Sequence, residues 1–130
     1  MLTILGRNNT TALIVSTGSM RPWSATGAYM LVGNSSAAES SSSTWLYGAN
    51  STMQPMDAGF PTRSTNIGTW QATFSTAMAN FTIWEWGIVN TTSTSDGNAS
   101  LLNRKLESPN LGTKTSAQSW QINAAITITT

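Results

Sequence analysis

Cysteine and histidine are both missing from this chain of 130 residues, and charge is scarce. Without Cys there is no disulfide framework, no thiolate nucleophile and no Cys-based metal site. Without His the commonest general base and its nucleophile pairings are gone. Charged residues make up 8% of the chain, against about 25% in an average soluble domain. The basic residues Arg7, Arg21, Arg63, Arg104, Lys105 and Lys114 are scattered apart from one adjacent pair, and the net charge is only +1. A nucleic-acid surface needs clustered Lys and Arg to displace counterions, so no nucleic-acid partner is expected. Long apolar runs are lacking too. The opening "MLTILGRNNTTALIVSTG" is interrupted by Arg7 and two Asn and is too short-run for a signal h-region. Nothing approaches a membrane-spanning length. No membrane partner is expected, and synthesis in the cytoplasm without export is the simplest reading.

What is present is a chain that should fold. Its hydrophobic fraction is 39% and includes six Trp, which contribute large areas per residue. Its size fits one domain that buries roughly two-thirds of its unfolded surface. Disorder pairs low hydrophobicity with high charge, whereas here Ser, Thr and Asn solvate the chain and charge is low. A surface so weakly charged is poorly protected against association, so part of it is expected to be covered by other subunits.

Strand signals dominate. "ALIVS" (12–16), "GAYMLVG" (27–33), "GTWQATF" (68–74), "FTIWEWGIV" (81–89), "ASLLNRKL" (99–106) and "SWQINAAITIT" (119–129) are rich in β-branched and aromatic residues, several with period-two alternation. Ser and Thr before Trp45 and Gly48 after it allow one short helix or 3₁₀ turn within 41–50. Residues 34–44, "NSSAAESSSST", read as a polar surface loop, and 48–67, with Pro55, Gly59 and Pro61, as an irregular excursion. The expected fold is all-β: a single-domain antiparallel β-sandwich or jelly-roll-like barrel with long loops. An extended N-terminal arm (1–17) precedes the β-domain (18–130).

Asp96-Gly97 is a good turn former between 81–89 and 99–106, which predicts an antiparallel hairpin. Alternation puts Phe81, Ile83, Glu85, Gly87 and Val89 on one face and Thr82, Trp84, Trp86 and Ile88 on the other. Glu85 therefore sits on an apolar face, where an unpaired carboxylate is too costly to leave ionised. Arg104 or Lys105 on the facing strand is expected to lie across from it and form a structural salt bridge. The catalytic reading, a general acid with a raised pKa, needs a second carboxylate at a defined distance. Glu39, Asp57, Asp96 and Glu107 lie in no recognisable motif. No SxxK or GxSxG stretch is present, so no enzyme, catalytic residue, metal site or cofactor is expected.

The segments "MLVGNSSAAESSSSTWL", "ATFSTAMANFTIWEWGIVN" and "LLNRKLESPNLGTKTSAQSWQINAAITI" resemble short virion structural proteins of tailed bacteriophages over roughly residues 27–130. The matching positions are Glu85, Trp86 and Gly87; Leu102, Asn103, Arg104 and Lys105; and Leu111, Gly112, Thr113 and Lys114. The long Ser-rich stretch and "ESPN" depart from that pattern. A fainter similarity extends to the N-terminal domains of some tail-fibre proteins. The resemblance implies a capsid decoration (cement) protein, expected to be trimeric, on the capsid exterior, with the major capsid protein and copies of itself as partners. A tail, baseplate or fibre-attachment component is the alternative, and a module binding a host-surface glycan is the second. A chain with no appended shaft suits a stand-alone cap better than a fibre. Arg21, Trp23, Trp45, Trp84 and Trp86 are the candidate interface residues, because Trp and Arg are typical hot-spot residues. Trp23 and Trp45 lie in loop-like settings and are expected to be the exposed anchors. Seven Asn-x-Ser/Thr sequons, at Asn8, Asn9, Asn34, Asn50, Asn80, Asn90 and Asn98, are read as chance in a chain this rich in Asn, Ser and Thr.

Overall fold

The computed structural model describes residues 1–14, 21–92 and 100–129. In chain order its elements are helix α1 (Ile4–Ile14) and strands β1 (Tyr29–Gly33), β2 (Ser51–Pro55), β3 (Thr62–Ser64), β4 (Ile67–Phe74), β5 (Thr82–Ile83), β6 (Glu85–Val89), β7 (Leu101–Leu106), β8 (Gly112–Thr113) and β9 (Trp120–Thr127). Every strand pairing is antiparallel. One sheet has the order β2-β1-β6-β7, a second β3-β4-β9, and a small third joins β5 to β8. The result is an all-β, sandwich-like fold, not a closed barrel.

The two larger sheets enclose the main core. Met30, Val32, Ile88 and Leu102 of the first meet Ala72, Phe74 and Ala124 of the second, with Trp23, Ala28, Ala79 and Ile83 completing the layer. Trp70, Trp120, Ile122 and Ile126 pack against this core while half-buried. The opposite face of the first sheet is apolar as well. Leu31, Val89 and Leu101 there meet Leu46 of the loop that follows β1, flanked by Tyr29, Trp45 and Met53. Burial on both faces explains why "YMLVG" and "EWGIV" read as continuous apolar runs and not as alternating ones.

Several local expectations give way. The extended N-terminal arm and the strand at 12–16 are replaced by α1 as far as Ile14; residues 15 and 16 lie outside the described residues. The cause is a tertiary cap. Thr3 Oγ1 accepts the Gly6 N–H at 2.8 Å and the Thr3 carbonyl accepts the Arg7 N–H at 3.0 Å. The Thr3 hydroxyl also donates to the Leu101 carbonyl, which fastens the cap to β7. Thr10 and Thr11 donate back to the carbonyls of Gly6 and Arg7, which gives these β-branched residues a place in a helix.

Of the short helix or 3₁₀ turn allowed within 41–50 only a turn is present, closed by the Ser43 N–H on the Ser40 carbonyl, and the excursion 48–67 contains β2 and β3. The strand expected over 81–89 is broken at Trp84. Its N–H donates to the Gly33 carbonyl and its carbonyl accepts from the Glu107 N–H, so β5 leaves the first sheet to pair with β8. The break reverses the alternation. Phe81 and Ile83 face the main core, while Glu85, Gly87 and Val89 face the opposite cluster. The expected hairpin is β6–β7; the turn at Asp96-Gly97 lies outside the described residues.

Gly6 is where α1 meets the sheet. A Cβ there would stand 2.2 Å from the Leu102 carbonyl oxygen, so only glycine allows this approach. Gly6→Ala is expected to destabilise the fold by about 1–3 kcal/mol through overpacking. Arg7→Ala, on the exposed side, should stay within about 0.5 kcal/mol. Urea unfolding of the two variants checks the contrast.

Candidate functional site

Glu85 and Arg104 form an ion pair whose side chains are both 0% exposed, with Arg104 Nε 2.6 Å from Glu85 Oε2. In the β6–β7 register Arg104 stands opposite Gly87, and Glu85 opposite Leu106. The pairing is thus diagonal. On the other side Glu85 faces Gly33 of β1, where a Cβ would come within 2.6 Å of Oε1. Gly33 thus makes room for the carboxylate.

The remaining valences are met by the Ser-rich loop. Gly48 N–H donates to Glu85 Oε1 at 2.7 Å, and Tyr47 N–H lies 3.1 and 3.2 Å from the two oxygens. Arg104 donates Nη1 to the Ala38 carbonyl at 2.9 Å and Nη2 to the Ala37 carbonyl at 2.8 Å. Its guanidinium carbon lies 4.2 Å from the centre of the Tyr47 ring, and the Tyr47 hydroxyl accepts from the buried Ser43. The stretch expected to be a solvated loop is therefore the cover over a buried charge pair. Sealed in this way, Glu85 reaches no substrate unless the loop lifts.

Lys105, on the other parity, pairs with Glu39 at 3.4 Å instead of Glu85. Glu39 also accepts the Leu106 N–H at 2.9 Å and the N-terminal ammonium of Met1 at 3.2 Å. Burial works to raise its carboxyl pKa. The Leu106 amide, the ammonium and Lys105 outweigh this and hold it below the usual carboxylate value. The N-terminal residues then edge β7: Thr3 N–H donates to Leu102, Arg104 N–H donates to Met1, and Leu2 bridges Asn103.

The candidate interface residues are dispersed. Trp23, expected to be an exposed anchor, is only 8% exposed. Its ring joins the main core and its Nε1 donates to the Ser100 carbonyl at 3.1 Å, a partner far away in sequence. Trp45 is half-buried against the second cluster. Trp84 is half-buried at the strand break. Trp86 packs on the main core and donates to Glu107 Oε1 at 2.8 Å. Arg21 is exposed, and its carbonyl accepts from Asn90, whose side chain also accepts from the Ser100 N–H and is buried. That sequon position is consumed by the fold. Lys114, in the "LGTK" segment, is 1% exposed, with its ammonium 2.9 Å from Asn80 Oδ1 and 3.5 Å from the Thr115 carbonyl.

Sequence reasoning misses a groove of about 770 Å³ between α1 and the end of the second sheet. Leu2, Ile67, Trp70, Leu102, Ile126 and Ile128 supply its apolar walls. Arg7 and Arg63 stand among its lining residues, and among the described residues neither forms a salt bridge. A groove assembled from five separated segments leaves no local signature. Among the described residues no group of three or more His, Cys, Asp or Glu gathers as a metal site, and no helix is long and apolar enough to cross a membrane.

Comparison with known proteins adds no relative: no family model, curated protein or solved structure matches the chain.

Glu85→Ala and Arg104→Ala are each expected to cost about 3–5 kcal/mol, since either strands a buried charge. The double variant should lose less than the sum, and strict additivity in unfolding free energies would rule out direct coupling. Glu39 gives a pH test. Its folded pKa is depressed, so its contribution is present above the unfolded carboxylate value and is lost as pH falls through the folded one. Melting temperatures taken from about pH 6 down to about pH 3 should therefore fall less steeply for Glu39→Gln than for the native chain.

Proposed function

We propose that this chain is a structural protein of a tailed-phage virion: a decoration protein that binds the outside of the head and bridges neighbouring capsid subunits. The observation that carries the reading is the apolar groove flanked by Arg7 and Arg63, on a chain of which only 8% is charged. Such a recess suits a segment of a partner protein that brings apolar side chains and an acidic residue. The state of the carboxylates supports the same reading. Glu39, Glu85 and Glu107 are bound to backbone or side-chain donors of the fold, and Asp57 accepts from Gln71 and from the amide and hydroxyl of Thr73. The resemblance read in the sequence over 27–130 brings the virion setting into this proposal, and that resemblance implies self-association as a trimer. The glycan-binding alternative is weakened, because Trp23, one of its two stacking candidates, lies in the core.

The test is stoichiometric. Quantitative gels of purified particles should show the chain in hundreds of copies per head. Heads lacking it should burst at a lower temperature and recover when the purified chain is added back. Ile67→Asp, at the exposed lip of the groove, should reduce that recovery without unfolding the domain. Copy numbers at the level of a tail part would overturn the decoration reading.

A further inference from the structure

Among the described residues the second sheet ends in an edge that is long and unpaired. β9 spans eight residues, Trp120–Thr127, and pairs with β4 along one side only. The other sheet edges are shorter or closed. β3 has three residues, β2 ends at Pro55, and β7 is edged by Met1, Leu2 and Thr3. Natural edge strands are blunted by charge, proline or a bulge. β9 contains no charged residue and no proline, and its register with β4 runs unbroken from Ile67↔Thr127 to Phe74↔Trp120.

The ladder identifies which backbone groups are free. Ile128 N–H donates to the Asn66 carbonyl, so Asn66 and Ile128 are a hydrogen-bonded pair. In an antiparallel ladder such pairs recur at every second residue. The pairs bonded to β4 are therefore Gly68/Ile126, Trp70/Ala124, Ala72/Ile122 and Phe74/Trp120. The far side of β4 agrees with this phase, since the Gln71 carbonyl and the Thr73 N–H turn away from β9 to Asp57. Gln121, Asn123, Ala125 and Thr127 thus point their N–H and carbonyl groups away from β4. Their side chains are exposed.

We propose that β9 pairs with β9 of a second copy, antiparallel about a two-fold axis at Ala124. The free groups allow this register: Gln121 meets Thr127 of the other copy and Asn123 meets Ala125 as hydrogen-bonded pairs. Ala124 then meets Ala124, and Ile122 meets Ile126, on the inner face. A two-fold contact must be self-complementary, and the Ile-x-Ala-x-Ile spacing of β9 is symmetric about its centre. The pairing would extend the second sheet across both copies by strand addition. It also covers apolar surface that one copy leaves half-open. Ile122 and Ile126 are half-buried at this edge, and beside it a cleft of about 260 Å³ is lined by Met1, Leu2 and Trp86 together with the polar Asn103 and Lys105. Like charges do not oppose one another within the strand, since it has none. This contact closes pairs, so it gives a dimer or a multiple of two, in place of the trimer expected from the sequence.

Sedimentation velocity on the purified full chain over a range of concentrations tests the proposal independently of any virion role. The native chain is expected to dimerise. Ala125→Pro removes an outward N–H and no bond to β4, and edge strands tolerate such prolines; it should give a folded monomer whose unfolding midpoint does not vary with concentration, whereas the native midpoint rises with concentration. The register is read with Asn123→Cys and Ala125→Cys, both at exposed positions in a chain that has no other cysteine. Mild oxidation of the two mixed should give the 123–125 disulfide, their Cα atoms being about 5.5 Å apart, whereas either variant alone should not. A native chain that stays monomeric at every concentration would overturn the proposal. So would an oligomer, trimer included, that Ala125→Pro leaves intact, or one that never yields the mixed disulfide.

Discussion

The buried pair of Glu85 and Arg104 is the interaction on which most of this structure depends. Two charges removed from water are tolerated only when their remaining donors and acceptors are also met. The strands cannot do this alone, because their own amides and carbonyls are spent in the ladder. The carbonyls of Ala37 and Ala38 and the amides of Tyr47 and Gly48 complete the shell. The Ser-rich loop is thereby fixed over the first sheet, and Leu46 is set on Leu31, Val89 and Leu101. The dependence then runs outward. Glu39, in the same loop, holds Met1 and the end of β7; the N-terminal residues edge β7; and Thr3 starts the helix that forms one wall of the groove.

Much of the sandwich was legible because it follows from alternation and from Gly-bounded apolar runs. The strands within 27–33, 68–74, 99–106 and 119–129 and the β6–β7 hairpin are of this kind. The features that escaped are those set by distant partners. "TTALI" has local strand character, and the helix that includes it is fixed by Thr3 on β7 and by the bare Cα of Gly6. Trp23 follows Arg21-Pro22 and looks exposed, yet its indole finds the Ser100 carbonyl far along the chain.

The charge pair itself was half legible. Residue types and the hairpin brought Arg104 to Glu85, but the diagonal offset depends on the register. The loop's share of the shell comes from backbone groups, which carry no residue signature. A Ser-rich composition reads as solvation, whichever way its carbonyls turn.

The economy of charge has a consequence outside the core. Among the described residues each carboxylate is engaged within the fold, so few charges remain to keep neighbouring molecules apart. An uncharged strand edge and an apolar groove on such a surface favour association. The two features are not independent in space. Leu2 and Ile126 line both the groove and the cleft beside β9, so the strand proposed to join two copies also forms part of the wall proposed to receive a partner. Pairing along β9 would hold Ile126 in an extended sheet and stiffen that wall. On this arrangement self-association and partner binding draw on the same strand, and the first prepares the surface for the second.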